Sequence, residues 1–72
     1  MNKQEQLVSR YPILSFFAYE HLPEHLKQVS QPFNLIAYDM ADFLPHNAET
    51  STMLRKLLEA KDCAVRAALP QK

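Results

Sequence analysis

Glu24-His25-Leu26-Lys27-Gln28-Val29-Ser30-Gln31-Pro32-Phe33-Asn34-Leu35-Ile36-Ala37-Tyr38-Asp39-Met40-Ala41-Asp42-Phe43-Leu44 is the stretch that decides the fold. Its apolar positions Leu26, Val29, Phe33, Ile36, Met40 and Phe43 follow at steps of 3, 4, 3, 4 and 3, a period near 3.5 that fits a helix and not a strand. Pro32 falls inside the stripe. A proline there removes one backbone donor and crowds the carbonyl one turn back, at a cost of about 3 kcal/mol unless packing offsets it. Two readings follow: a kinked helix over about 24–44, or a short helix ending near Ser30 with a longer one starting around Pro32. The stripe keeps its phase across Pro32, which favours the kinked helix.

Downstream, Leu44-Pro45-His46-Asn47 breaks the pattern. Pro45 restricts Leu44, and the Asn47 side chain is placed to accept from the backbone N–H of Glu49 or Thr50 and start a second helix over about 48–69. Glu49 near its positive end and Arg66 near its negative end suit the helix dipole, and Pro70 stops it. This helix is apolar on two sides. Met53, Leu57, Ala60, Ala64 and Ala67 form one seam; Leu54, Leu58, Val65 and Leu69 form another. One partner helix covers one seam, so the second faces the aromatic segment upstream or another subunit. The expected fold is all-α: an antiparallel two-helix hairpin with a short N-terminal helical segment, assembled into a homo-oligomer.

Upstream, residues 1–12 are polar and end in Tyr11-Pro12, which reads as a flexible N-terminal arm. Ile13-Leu14-Ser15-Phe16-Phe17-Ala18-Tyr19 is too short to be a stable helix alone and is expected to dock on the hairpin. The chain thus divides into an arm, 1–12, and a single helical unit, 13–72. Without any glycine and without alternating apolar and polar residues, strands have little support.

Size and charge narrow the function. A chain of 72 residues buries only about 60% of its unfolded surface, so self-association is the expected route to stability. Eight basic side chains balance eight acidic ones, which argues against a general coat for DNA or RNA, since duplex binding draws on many phosphate contacts. The single Cys63 fits a reducing compartment. No signal-peptide pattern opens the chain and no apolar run approaches the ~20 residues that span a bilayer. A soluble cytosolic protein with no membrane partner is the expectation.

Charge is unevenly spread. Residues 28–50 carry only Asp39, Asp42 and Glu49, whereas residues 51–72 carry Arg55, Lys56, Lys61, Arg66 and Lys72 against Glu59 and Asp62. On composition alone this basic stretch is a solvated helix face with pairs such as Asp62 to Arg66. In a symmetric oligomer, one arginine per chain becomes a ring that is costly unless an anion occupies it.

Individual candidates weigh differently. His21 and His25 are four apart, but Pro23 between them opposes one continuous helix, and packing or hydrogen bonding accounts for them better than a metal does. Asp39 and Asp42 read as a solvated face, since no polar cluster converges on them in sequence. Cys63 reads as a small buried apolar residue. No catalytic constellation, metal site or cofactor is expected, and the protein is expected not to be an enzyme. Tyr11, Phe16, Phe17 and Tyr19 either cover the hairpin or stack on a nucleobase while Lys27 or the helix arginines hold phosphate.

A family resemblance sharpens this reading. Phe17-Ala18-Tyr19-Glu20-His21-Leu22-Pro23, Val29-Ser30-Gln31-Pro32-Phe33 and Pro45-His46-Asn47-Ala48-Glu49 leading into Leu54-Arg55-Lys56-Leu57-Leu58-Glu59-Ala60-Lys61-Asp62-Cys63-Ala64-Val65-Arg66 resemble the anti-CBASS protein Acb2 family of phages and prophages. The likeness covers about residues 16–69, and a related hairpin occurs in Tad1-type anti-Thoeris proteins. It implies a non-enzymatic sponge, a hexamer of helical hairpins that sequesters cyclic nucleotide second messengers of bacterial immunity in the cytoplasm of the infected host. Effectors downstream then stay inactive. cGAMP-like cyclic dinucleotides would lie between paired subunits, and cyclic trinucleotides on three-fold axes. The resemblance implies base stacking by Phe16, Phe17 and Tyr19, with Tyr11 ahead of the matched region. Phosphate contacts would come from Lys27, Arg55 and Arg66, with Ser30 and Gln31 nearby. Where it implies a basic residue after Val29-Ser30, this chain has Gln31; Lys27 lies one turn earlier. The alternative is a structural helical oligomer or a protein-binding adaptor using the second apolar seam.

Overall fold

The chain opens in a helix. Asn2 caps it by accepting from the Glu5 backbone N–H at 2.8 Å through Oδ1, and α1 runs Lys3–Arg10. The computed structural model describes residues 1–70, so Gln71 and Lys72, the end of the expected 13–72 unit, lie outside the described residues. After α1 come a 3-10 helix, Pro12–Phe17, then α2, Glu24–Phe43, and α3, Ala48–Ala68. The described residues are all-helical and contain no strand.

The flexible arm expected over 1–12 is therefore corrected. Leu7 on α1 is 5% exposed and Tyr11 is 3% exposed, both inside the core, and Lys3 Nζ meets Asp42 Oδ2 of α2 at 3.4 Å. A mostly polar octapeptide needs a partner to stay helical. Here Leu7 supplies the apolar anchor, and the Asn2 cap ends the helix on its N-terminal side.

Within the 3-10 helix, three residues make a turn, so residues three apart eclipse one another. Tyr11, Leu14 and Phe17 are three apart, and all three are buried, the last two at 0% exposure. Phe16, one position off that row, is 65% exposed.

A single α2 runs through Pro32, as the unbroken phase of the stripe predicts. The proline ring is on the exposed side, as is Gln28 one turn back, so the carbonyl that loses its intrahelical donor faces water. The expected stripe, however, is buried only at Leu26, with Phe33 partly covered against the core. Leu26, Ser30, Ala37 and Ala41 are buried, while Ile36 is 46% and Phe43 79% exposed. Small residues on the inner side let α3 come close, and Leu54 of α3 shares the core with Ala37 and Ala41. The bulky stripe is displaced toward the surface.

The 44–47 turn matches expectation in its chemistry. Asn47 Oδ1 accepts from the Thr50 N–H at 3.0 Å, and the Thr50 hydroxyl donates to the Pro45 carbonyl at 2.7 Å. On α3, Thr50 and Leu54 are buried, and Met53, Leu57 and Leu58 are partly covered. Cys63, expected in the core, is exposed instead. No residue among those described takes a positive φ. No helix among them is long and apolar enough to cross a membrane.

Candidate nucleotide-binding face

Residues 16–19 lie along the middle of α2 and against α3, and three side chains fix them there. Asn34 Nδ2 of α2 donates to the Phe17 carbonyl at 3.0 Å, Lys61 Nζ of α3 donates to the Phe16 carbonyl at 2.9 Å, and Gln31 Nε2 donates to the Tyr19 hydroxyl at 3.4 Å. One turn N-terminal of Gln31, Lys27 is half-buried. Tyr19 and Gln31 are thus joined, and Lys27, one turn earlier on α2, lies on the same side of that helix as Gln31; with the exposed Phe16 three residues before Tyr19, they supply rings, an amide and an ammonium, the groups that suit a base and a phosphate.

Not every expected residue joins it. Phe17 is fully buried, so its ring belongs to the core, and the stacking role expected for it is corrected. Tyr11 is corrected likewise: it sits at the other end of α2, edge-on to His46 with ring centroids 4.7 Å apart. Ser30 is 0% exposed, so the ligand contact expected of it is corrected too, and among the described residues its hydroxyl has no hydrogen-bond partner. Arg55 and Arg66 are both exposed on α3. Eleven positions separate them, about three turns, so they share a side of the helix about 16 Å apart. They cannot grip one phosphate within a single chain. Arg66 also donates to Cys63 Sγ at 3.3 Å.

Other candidates resolve as side-chain geometry. His21 precedes α2 and His25 lies within it, so the two do not share a helix face. Among the described residues no three His, Cys, Asp or Glu converge as metal ligands. Asp39 and Asp42 line a shallow cleft between α1 and α2 of about 360 Å³, where Lys3 meets Asp42.

A second concavity lies between α2 and α3. Ile36, Met40, Met53, Leu57 and Ala60 line an apolar groove of about 600 Å³, with Glu49 and Lys56 among its polar neighbours. It carries the outward part of the α2 stripe and the Met53 seam of α3.

Two contributors escaped the sequence reading, Asn34 and Lys61. The signal for Lys61 was present: the second seam of α3 skips from Leu58 to Val65, and position 61 is the missing step of the 4, 3, 4 series. Its side chain is 13% exposed. No protein-family model, curated protein or solved structure matches this chain.

Proposed function

We propose that the protein is a non-enzymatic sponge that captures cyclic di- and trinucleotide immune messengers in the cytoplasm of an infected bacterium and so keeps CBASS effectors inactive. The observation that carries the reading is the Tyr19–Gln31 hydrogen bond, with Lys27 one turn earlier on α2 and the 65% exposed Phe16 three residues before Tyr19. An aromatic ring and a cation are the minimal set for a nucleobase joined to a phosphate. Compact cyclic anions need few cations, in keeping with a chain of zero formal net charge. The sequence resemblance described above points the same way.

In this reading α2 and α3 form an antiparallel hairpin, and several copies, six by the resemblance, assemble through their outer apolar faces. Pockets between subunits then bring together residues that one chain holds apart, such as Arg55 and Arg66. The test is calorimetry with cyclic di- and trinucleotides, linear analogues as controls, and mass by light scattering. Cyclic ligands are expected to bind an oligomer and to be recovered chemically intact after protein digestion. Absence of binding overturns the reading, and linear product moves the protein to the nucleases.

The apolar groove between α2 and α3 favours a second reading, a structural helical oligomer or protein-binding adaptor without a nucleotide ligand. A stable oligomer that binds none of the cyclic nucleotides supports it.

A further inference from the structure

A 3-10 helix ends with carbonyls that lack intrahelical donors, and these must find partners elsewhere. The end of the Pro12–Phe17 helix is fully supplied. The Ser15 carbonyl accepts from the Ala18 N–H at 3.4 Å, the Phe16 carbonyl from Lys61 Nζ, and the Phe17 carbonyl from Asn34 Nδ2. The last two donors come from different helices, α3 and α2, so consecutive peptide units are clamped from two sides. Lys61 is a long side chain with much rotamer freedom to lose. It is nonetheless held 13% exposed with its ammonium on a backbone carbonyl, and it also lies 4.0 Å from the Asp62 carboxylate.

This clamp acts on the orientation of two adjacent rings. Phe17 is locked inward at 0% exposure, and the backbone turn of a 3-10 helix then leaves Phe16 pointing outward at 65% exposure. A large exposed ring on a clamped backbone keeps only its own side-chain freedom, so a ligand that stacks on it has less to immobilise.

We infer that Lys61 and Asn34 are positioning residues which clamp the Phe16 and Phe17 carbonyls and thereby present the Phe16 ring as a fixed stacking face for a nucleobase. The inference rests on the nucleotide-binding reading for its ligand, while the clamp itself is testable without one. Because the chain has no tryptophan, Phe16→Trp places its one indole at the site, where it can be excited at wavelengths the three tyrosines do not absorb. Time-resolved anisotropy of that variant is expected to show a restricted indole. Adding Lys61→Met, which keeps the stem and removes the donor, is expected to raise the amplitude of fast motion at least about twofold, and Lys61→Arg to restore it. Asn34→Asp, which removes the donor in place, is expected to act as Lys61→Met does. Circular dichroism and melting confirm that each variant is folded.

In the chain with native Phe16, Lys61→Met is expected to weaken 3′,3′-cGAMP about tenfold in calorimetry, with Lys61→Arg rescuing it. If the native chain binds the nucleotide and Lys61→Met changes neither anisotropy nor affinity, the positioning role is overturned and the nucleotide-binding reading stands. If the native chain binds no cyclic nucleotide, that reading fails and the stacking role of Phe16 fails with it, whatever the anisotropy shows.

Discussion

Tyr11 and His46 meet edge to face, with ring centroids 4.7 Å apart and planes inclined at 67°. Their contact joins the start of the 3-10 helix to the turn between α2 and α3, across 35 residues of sequence. The Tyr11 hydroxyl is buried without a hydrogen-bond partner among the described residues. Its ring therefore stabilises the fold and its hydroxyl does not. Tyr11→Ala is expected to cost about 3 kcal/mol or more, in the manner of a large core truncation. Tyr11→Phe is expected to be neutral or slightly stabilising, by less than about 1 kcal/mol. Urea denaturation of the two variants measures the difference.

Deleting residues 1–10 removes α1 and the Leu7 anchor. Loss of that one side chain is worth about 1.5–3 kcal/mol, so the midpoint of unfolding is expected to fall clearly. A dispensable arm would leave it unchanged. Lys3→Ala alone is expected to change stability by less than about 1 kcal/mol, because the pair with Asp42 is exposed.

Ser30→Ala separates folding from binding. Among the described residues the buried hydroxyl has no hydrogen-bond partner, so it costs desolvation without return, and the substitution is expected to leave stability equal or raised. Cyclic nucleotide binding is expected to stay unchanged, because a hydroxyl buried at 0% exposure does not reach a ligand on the surface.

Ile36→Glu puts a charge on the outer side of α2, where Ile36 is already 46% exposed. Light scattering is expected to report a smaller assembly while circular dichroism keeps its helical signature. An unchanged mass would free the groove from any part in assembly.

Arg66→Ala is expected to lower cyclic trinucleotide affinity with the assembly intact. Equal titration heats for the variant and the native chain would remove Arg66 from the site.

Much of the architecture was legible in spacing. The period near 3.5 from Leu26 to Phe43 gave α2 its length through Pro32, and Asn47 marked the start of α3 by the chemistry of its cap. Bulk misled where packing depends on closeness. Ser30, Ala37 and Ala41 lie inward because small side chains admit a neighbouring helix, and a stripe chosen by hydrophobicity passes over them. Residues 1–12 read as an arm because they are polar and end in Tyr11-Pro12. Asn2 followed three residues later by Glu5 is itself a helix-start pattern, and Tyr11, Leu14 and Phe17 carry the three-residue step of a 3-10 turn. The candidate face was half visible. Phe16, Tyr19 and Lys27 stand out by residue type and Gln31 by its place in the resemblance, whereas Lys61 shows only as the missing step of the second α3 seam, and Asn34 acts on a backbone carbonyl, which no pattern of side chains displays.

The turns of this chain use only right-handed and extended backbone, with no residue at positive φ among those described. No position in them is therefore reserved for glycine by its dihedral angles. Loops of this kind are free to exchange side chains under selection, limited by what each one touches, so the surface can be reshaped without redrawing the path of the main chain.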